Sequence, residues 1–194
     1  MTDENWCLSG GADGADLAWG AAASACGHRV THFSFSGART SAPRDELVYL
    51  SPSLLVEADS HCAEANKALH RKYPPRSTTV QNLLRRSWYQ VETAESVYAI
   101  STLVNGEVAG GTAWACRYFL DRHNSKPCAC YVFDQEKCRW HQWRGLWEPI
   151  YEPPQPQSVW AGIGTRKLNS MGGLAIRVAL DYWPQRKSVW LKNA

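Results

Sequence analysis

The sequence predicts an α/β fold with helices on both faces of a mostly parallel central sheet. Three observations predict it. A short apolar run, a glycine-rich turn and a stretch of helix formers follow one another at residues 6–26. The same pattern recurs at 96–123 and again at 158–182. Strand, tight turn and helix in that order form the repeating unit of a parallel sheet, because parallel neighbours need a crossover connection. The 194 residues suffice for one domain with a real core, 1–194, and 44% hydrophobic against 20% charged residues is the balance of a soluble globular protein.

Trp6-Cys7-Leu8-Ser9 reads as the first strand, and residues 14–26 as the helix after it, with Gly27 at its C-terminal end. Arg29 to Phe35 alternates and carries β-formers, which predicts a second strand. Residues 36–52, with Gly37, Pro43 and Pro52, read as a loop. A helix is expected over 56–71, broken by Tyr73-Pro74-Pro75, and another over 79–93 starting from Ser77 or Thr78. Within the latter, Leu83, Leu84, Val91 and Trp88 can bury together, while Arg86, Tyr89 and Gln90 face elsewhere as a polar and aromatic group. Ser96 to Ile100 is a central strand, followed by a turn at Asn105-Gly106 and a helix from Gly110-Gly111-Thr112 to about His123. Cys130 to Phe133 is a further buried strand, and Arg139 to Trp143 a short edge strand or hairpin arm. The proline-rich residues 148–157 read as an extended connector. The last unit is a strand at 159–163, a turn at Gly164-Thr165-Arg166 and a helix over 170–182 that Pro184 ends.

Composition removes several functions. The net charge is +3 with no dense Lys/Arg run, so a duplex nucleic acid is not an expected partner. No apolar run is long enough for a membrane span. The 7 cysteines are odd in number and scattered, and the residues after Met1 are polar and acidic, which points to reduced thiols in a cytoplasm. Cys128-Ala129-Cys130 with Cys138 lacks a matching second pair, so no metal and no cofactor are expected. The 10 tryptophans are a surplus that provides both core and stacking surfaces for a base.

The turns carry the chemistry. Glycines let a backbone approach an anion, and the free N–H groups of a first helical turn point at it. Ser9-Gly10-Gly11-Ala12-Asp13-Gly14-Ala15-Asp16 adds two acids to such a turn, where carboxylates suit ribose hydroxyls; Asp13 can equally be an N-cap. A ligand that is part phosphate and part sugar fits both features. Two such turns at neighbouring strand ends would face one crevice.

Four motifs in this order resemble the SLOG superfamily: Ser9 to Asp16, Gly110-Gly111-Thr112, Tyr131-Val132-Phe133-Asp134-Gln135, and Ala161-Gly162-Ile163-Gly164-Thr165-Arg166. Arg86-Ser87-Trp88-Tyr89-Gln90-Val91 is similar to a helix of uncharacterised phage and bacterial members. The resemblance implies a Rossmann-like three-layer α/β/α domain. It groups this chain with DprA-like DNA-processing proteins, LOG cytokinin-activating enzymes and nucleotide sensors of bacterial conflict systems. The order of motifs implies a circular permutation, with strand 159–163 beside strand 6–9 and Thr165 and Arg166 beside Asp13. The LOG motif Gly-Gly-x-Gly-Thr-x-x-Glu, placed on Gly111-Thr112, puts Ala115 at the glutamate, so its catalytic carboxylate is missing.

The implied function is binding of an ADP-ribose-like or cyclic nucleotide signal, to sense it or, in a phage acting in its host's cytoplasm, to sequester it against defence. The alternative is a nucleotide N-glycosidase or phosphoribohydrolase, with Asp13, Asp16 or Asp134 as candidate catalytic acids. In either case Gly10, Gly11, Gly110, Gly111 and Thr112 would contact phosphate and Arg166 would pair with its charge. Asp13 and Asp16 would take ribose, and Trp88 or Tyr89 would stack on a base. Ser9, Gly14, Arg86, Gln90, Asp134, Gly164 and Thr165 complete the expected ligand-binding set. Family analogy adds a homodimer or higher homo-oligomer.

Overall fold

The computed structural model describes residues 4–182. The first half of the chain runs β1 (Trp6–Ser9), α1 (Ala15–Ala25), β2 (Arg29–Phe35), β3 (Leu47–Leu50), α2 (Pro52–Glu57), α3 (Asp59–Leu69) and α4 (Thr78–Val91). Then follow β4 (Ser96–Ser101), a hairpin of β5 (Leu103–Val104) and β6 (Glu107–Val108), and α5 (Thr112–Arg122). The chain continues through β7 (Cys130–Asp134), β8 (Arg139–Trp143), β9 (Trp147–Ile150), β10 (Val159–Gly164) and α6 (Ser170–Ala179).

The eight-stranded sheet has the order β3-β2-β1-β10-β4-β7-β8-β9. From β3 to β7 every pairing is parallel; β8 and β9 add an antiparallel hairpin at one end. The last strand in sequence lies at the centre, with Ala161 opposite Leu8 on one side and Gly162 opposite Tyr98 on the other. Its Val-Trp-Ala-Gly-Ile-Gly sequence has no charge to keep in water, as a strand covered on both faces requires.

Side chains alternate between two cores. Val97, Ala99, Val132 and Ile163 face α3, α4 and α5, with Trp114 and Phe119. Tyr98, Ile100, Tyr131 and Trp160 face α1 and α6, with Trp19 and Ile176. Trp19, Tyr98 and Trp160 form one fully buried aromatic group, and Trp19 packs so closely on β10 that a Cβ at Gly162 would lie 2.6 Å from it. Among the described residues the tryptophans lie in or against these cores, and none lines the cleft at the carboxyl ends of the central strands.

Four element predictions are corrected. Residues 47–50 are not loop but the edge strand β3, paired with the end of β2. The predicted helix over 56–71 begins earlier, at Pro52 after the N-cap Ser51, and breaks at Ala58 into α2 and α3. The start of the 148–157 connector is β9, paired antiparallel with β8, so β8 is a hairpin arm and not the edge of the sheet. The final helix ends at Ala179, and Pro184 lies outside the described residues.

A buried histidine near the site gives a testable pH dependence. His32, in the middle of β2, is 1% exposed, with Nε2 3.5 Å from Glu46 Oε2 and its ring packed over Gly20. Burial, helped by the Arg86 charge, lowers its pKa to about 4. The unfolded chain, near 6.5, binds the proton first, so stability falls as pH falls from about 6.5 towards 4. The loss approaches about 3 kcal/mol. Urea midpoints measured across that range should decline in the native protein and stay level in His32→Gln; the same decline in both would assign it to other groups.

Candidate functional site

Where the chain reverses direction across a parallel sheet, the loops at the carboxyl ends of the strands leave a crevice. Here that point is β1, β10 and β4. A cleft of about 470 Å³ opens there, between α4, the start of α5 and the turn after β10. Its walls are Asp16, Leu83, Leu84, Arg86 and Gln90; Gly110, Gly111, Thr112 and Ala115; and Ile163, Gly164, Thr165, Arg166 and Lys167, with Ala12, Val80, Ser101 and Thr102 among others.

Several groups of the first turn are engaged by the protein itself. The Ser9 hydroxyl is fully buried, 3.0 Å from the Asp16 carbonyl and 2.5 Å from that of Gly162. Gly10 is a slot for another residue: a Cβ there would lie 1.3 Å from Arg86 Nη1. The Gly11 carbonyl accepts from the Thr40 hydroxyl at 2.6 Å. Gly14, at φ +97°, fits against the backbone of Thr165 and Arg166, whose carbonyl oxygens would be 2.5 Å from any Cβ. The Ala15 N–H at the start of α1 donates to the Thr165 carbonyl at 3.0 Å.

Asp16, expected to take ribose, is held by partners within the protein. It is 5% exposed, and both its oxygens have partners. Oδ1 accepts from the Gly164 N–H at 3.0 Å; Oδ2 lies 3.3 Å from Arg86 Nη1 and 3.4 Å from Gln90 Nε2. Burial pushes its carboxyl up and the Arg86 guanidinium down; the attraction between them opposes both shifts. The acid therefore anchors Arg86, which reaches from α4 over Gly10 to α1. That anchoring is incomplete in a useful way. Arg86 is 5% exposed, yet its Nε has no hydrogen-bond partner among the described residues. Arg86 lines the cleft, and a buried guanidinium with an unpartnered N–H favours a nearby anion.

The second turn lines the same cleft. Gly110 sits at φ +64°, and Cβ atoms at Gly110 and Gly111 would meet nothing within 4 Å. The α5 helix starts from Gly111 with no side-chain cap and no acid in its first turn. Gly110, Gly111, Thr112 and Ala115 line the cleft, so the positive dipole end of α5 lies at it. By contrast, α6 is capped by the Asn169 side chain, which accepts from the Gly172 N–H at 2.8 Å. Arg166 and Lys167, both exposed, add positive charge at the rim, and Arg166 is close enough to push Arg86 further down. Val80, Leu83, Leu84 and Ile163 make an apolar wall.

The structure thus brings Asp16, Arg86, Gln90, Gly110, Gly111, Thr112, Gly164, Thr165 and Arg166 together. It does not bring in Asp13, which is exposed and 3.4 Å from the Ser41 hydroxyl. Trp88 stacks on His61, ring centroids 3.6 Å apart, and meets Tyr118 edge-on. The Tyr89 hydroxyl donates to the Leu54 carbonyl at 2.5 Å. Asp134 is fully buried; its Oδ1 accepts from the N–H groups of Glu136 and Lys137, holding its own turn. Thr102 and Lys167, which the sequence motifs did not mark, also line the cleft: Thr102 directly follows β4, and Lys167 follows the marked turn Gly164-Thr165-Arg166.

No protein-family model matches the chain, and no curated protein matches it. Among solved structures it is similar to one described as "Putative molybdenum carrier protein" from Syntrophus aciditrophicus, with TM-score 0.53 and 14% identity, over 93% of this chain and 95% of that one. The likeness is one of fold: a mostly parallel sheet flanked by helices.

Proposed function

We propose that the cleft binds a phosphate-bearing small molecule of the nucleotide class, such as an ADP-ribose-like or cyclic nucleotide signal, and holds it for sensing or sequestration. The observation that carries this reading is the open donor of buried Arg86 in the same cleft as the uncapped start of α5. The SLOG resemblance supports it, as does β10 lying between β1 and β4 as a permuted relative would require. The similar structure is named for molybdenum, and molybdate shares the tetrahedral oxyanion chemistry of phosphate. A cleft of about 470 Å³ with an apolar wall suits a larger molecule than a bare oxyanion.

Holding is favoured over cleavage by what surrounds the ligand space. Glycoside hydrolysis needs a carboxylate free to donate or accept a proton. Among the described residues lining the cleft the one carboxylate is Asp16, whose oxygens are both engaged. Ala115 lines the cleft with a methyl group where the LOG motif has its glutamate.

Calorimetric titration with AMP, ADP-ribose, cyclic ADP-ribose and molybdate tests the reading. We expect saturable binding of at least one nucleotide, recovered intact by chromatography after the protein is denatured. Heat from molybdate alone would replace the nucleotide by a bare oxyanion. Recovery of free base or ribose phosphate would replace holding by hydrolysis.

A further inference from the structure

We propose that Arg71 is a positioning residue that fixes the Gly110–Gly111 peptide with its N–H pointing into the cleft. The inference rests on the reading of that cleft as an anion site. Helix α3 ends in the left-handed C-cap His70, at φ +50°, and the Arg71 N–H closes the end by donating to the Asn66 carbonyl at 3.3 Å. This turn sends the Arg71 side chain to the segment between β6 and α5. Its Nη1 donates to the Gly110 carbonyl at 2.5 Å and its Nη2 to the Val108 carbonyl at 3.3 Å. One planar guanidinium therefore grips two carbonyls of the strand-to-turn segment.

A trans peptide is planar, with C=O and N–H on opposite sides. The Val108–Ala109 peptide displays the consequence. Its carbonyl faces Arg71, and its N–H, on Ala109, donates to the Thr102 carbonyl at 2.9 Å. Thr102 lines the cleft. The Gly110–Gly111 peptide is held the same way: its carbonyl faces Arg71, so its N–H faces the cleft side. Nothing else in the local sequence enforces this. A peptide between two glycines flips at little conformational cost, and a Cβ added at either glycine would meet nothing within 4 Å. The flipped form would present a carbonyl oxygen to the anion in place of a donor. Arg71 selects between the two forms without touching the ligand.

The test uses the full chain labelled with [15N]glycine and titrated with inorganic phosphate, with Arg71→Ala and Arg71→Lys alongside. In the native protein the Gly111 amide resonance should move with phosphate. Arg71→Ala should shift that resonance before any phosphate is added and weaken phosphate binding about tenfold, with an unchanged thermal midpoint. Arg71→Lys, which keeps one donor for the Gly110 carbonyl, should recover part of the affinity. If Arg71→Ala binds phosphate within twofold of the native protein, the positioning role is overturned and the cleft reading stands. If the native Gly111 amide does not respond to phosphate, both fall. If Arg71→Ala does not fold, Arg71→Lys decides: native affinity with an altered Gly111 amide overturns the role, and intermediate affinity supports it.

Discussion

Asp16→Ala will lower folding stability by about 3–5 kcal/mol, the usual consequence of stranding one member of a buried ion pair. The substitution removes the partner of Arg86 Nη1 and the acceptor of the Gly164 N–H at once. Among the described residues the guanidinium, 5% exposed, then keeps a hydrogen bond only to the Phe33 carbonyl, at 3.5 Å. Two companion results separate this mechanism from a general loss of packing. Asp16→Asn combined with Arg86→Met, which removes both charges, should recover most of the stability, since replacing a buried pair by uncharged groups is often neutral. Phosphate should raise the midpoint of Asp16→Ala more than that of the native protein, because the anion supplies the missing counter-charge. Denaturant titrations of the variants check all of this, and a loss below about 1 kcal/mol in Asp16→Ala would mean that Arg86 does not depend on the acid.

Gly10→Ala will damage binding out of proportion to its size. The new methyl would stand 1.3 Å from Arg86 Nη1 and 2.5 Å from Asp16 Oδ2, so the arginine must leave its slot. We expect about 1–3 kcal/mol of lost stability, as for other overpacked sites, and at least a tenfold loss of nucleotide affinity. Gly111→Ala is the informative contrast. Gly111 has helical angles, φ −66° and ψ −28°, and open space around it, so alanine should be neutral to stability there. Calorimetry and denaturation on both variants compare them. Equal losses would show that the glycines of the first turn serve only backbone geometry and that Arg86 is not what they accommodate.

The pattern of what was legible in the sequence has a physical basis. Periodicity and glycine turns locate units whose local preference agrees with the fold, so β1–α1, β4 with α5, and β10–α6 were readable from their residues. β3 was not, because only Leu47 and Leu50 are drawn inward while Val48 and Tyr49 stay exposed at an edge, between two prolines. β9 was not, because Glu148 and Pro149 read as connector, and an edge strand tolerates both. In the site, the turns at Gly110 and Gly164 could be marked in advance because their chemistry is local. The roles of Asp13 and Asp16 could not be separated: three residues apart on one turn, one faces water and the other a guanidinium delivered from α4, 70 residues on. Likewise Trp88 and Arg86 are neighbours on one helix, and only tertiary packing decides that the tryptophan goes to His61 and the arginine to the cleft.

The central claim is that an anion binds between Arg86 and the start of α5, and that the first glycine turn holds the arginine. A crystal structure of the protein with AMP tests it most directly, since the ligand has a single phosphate. The phosphate should lie within hydrogen-bond distance of Arg86 Nε and of the Gly111 and Thr112 N–H groups, with Asp16 still on Arg86. A phosphate seated instead on the amides of Gly10 to Gly14, with Arg86 turned away, would contradict it.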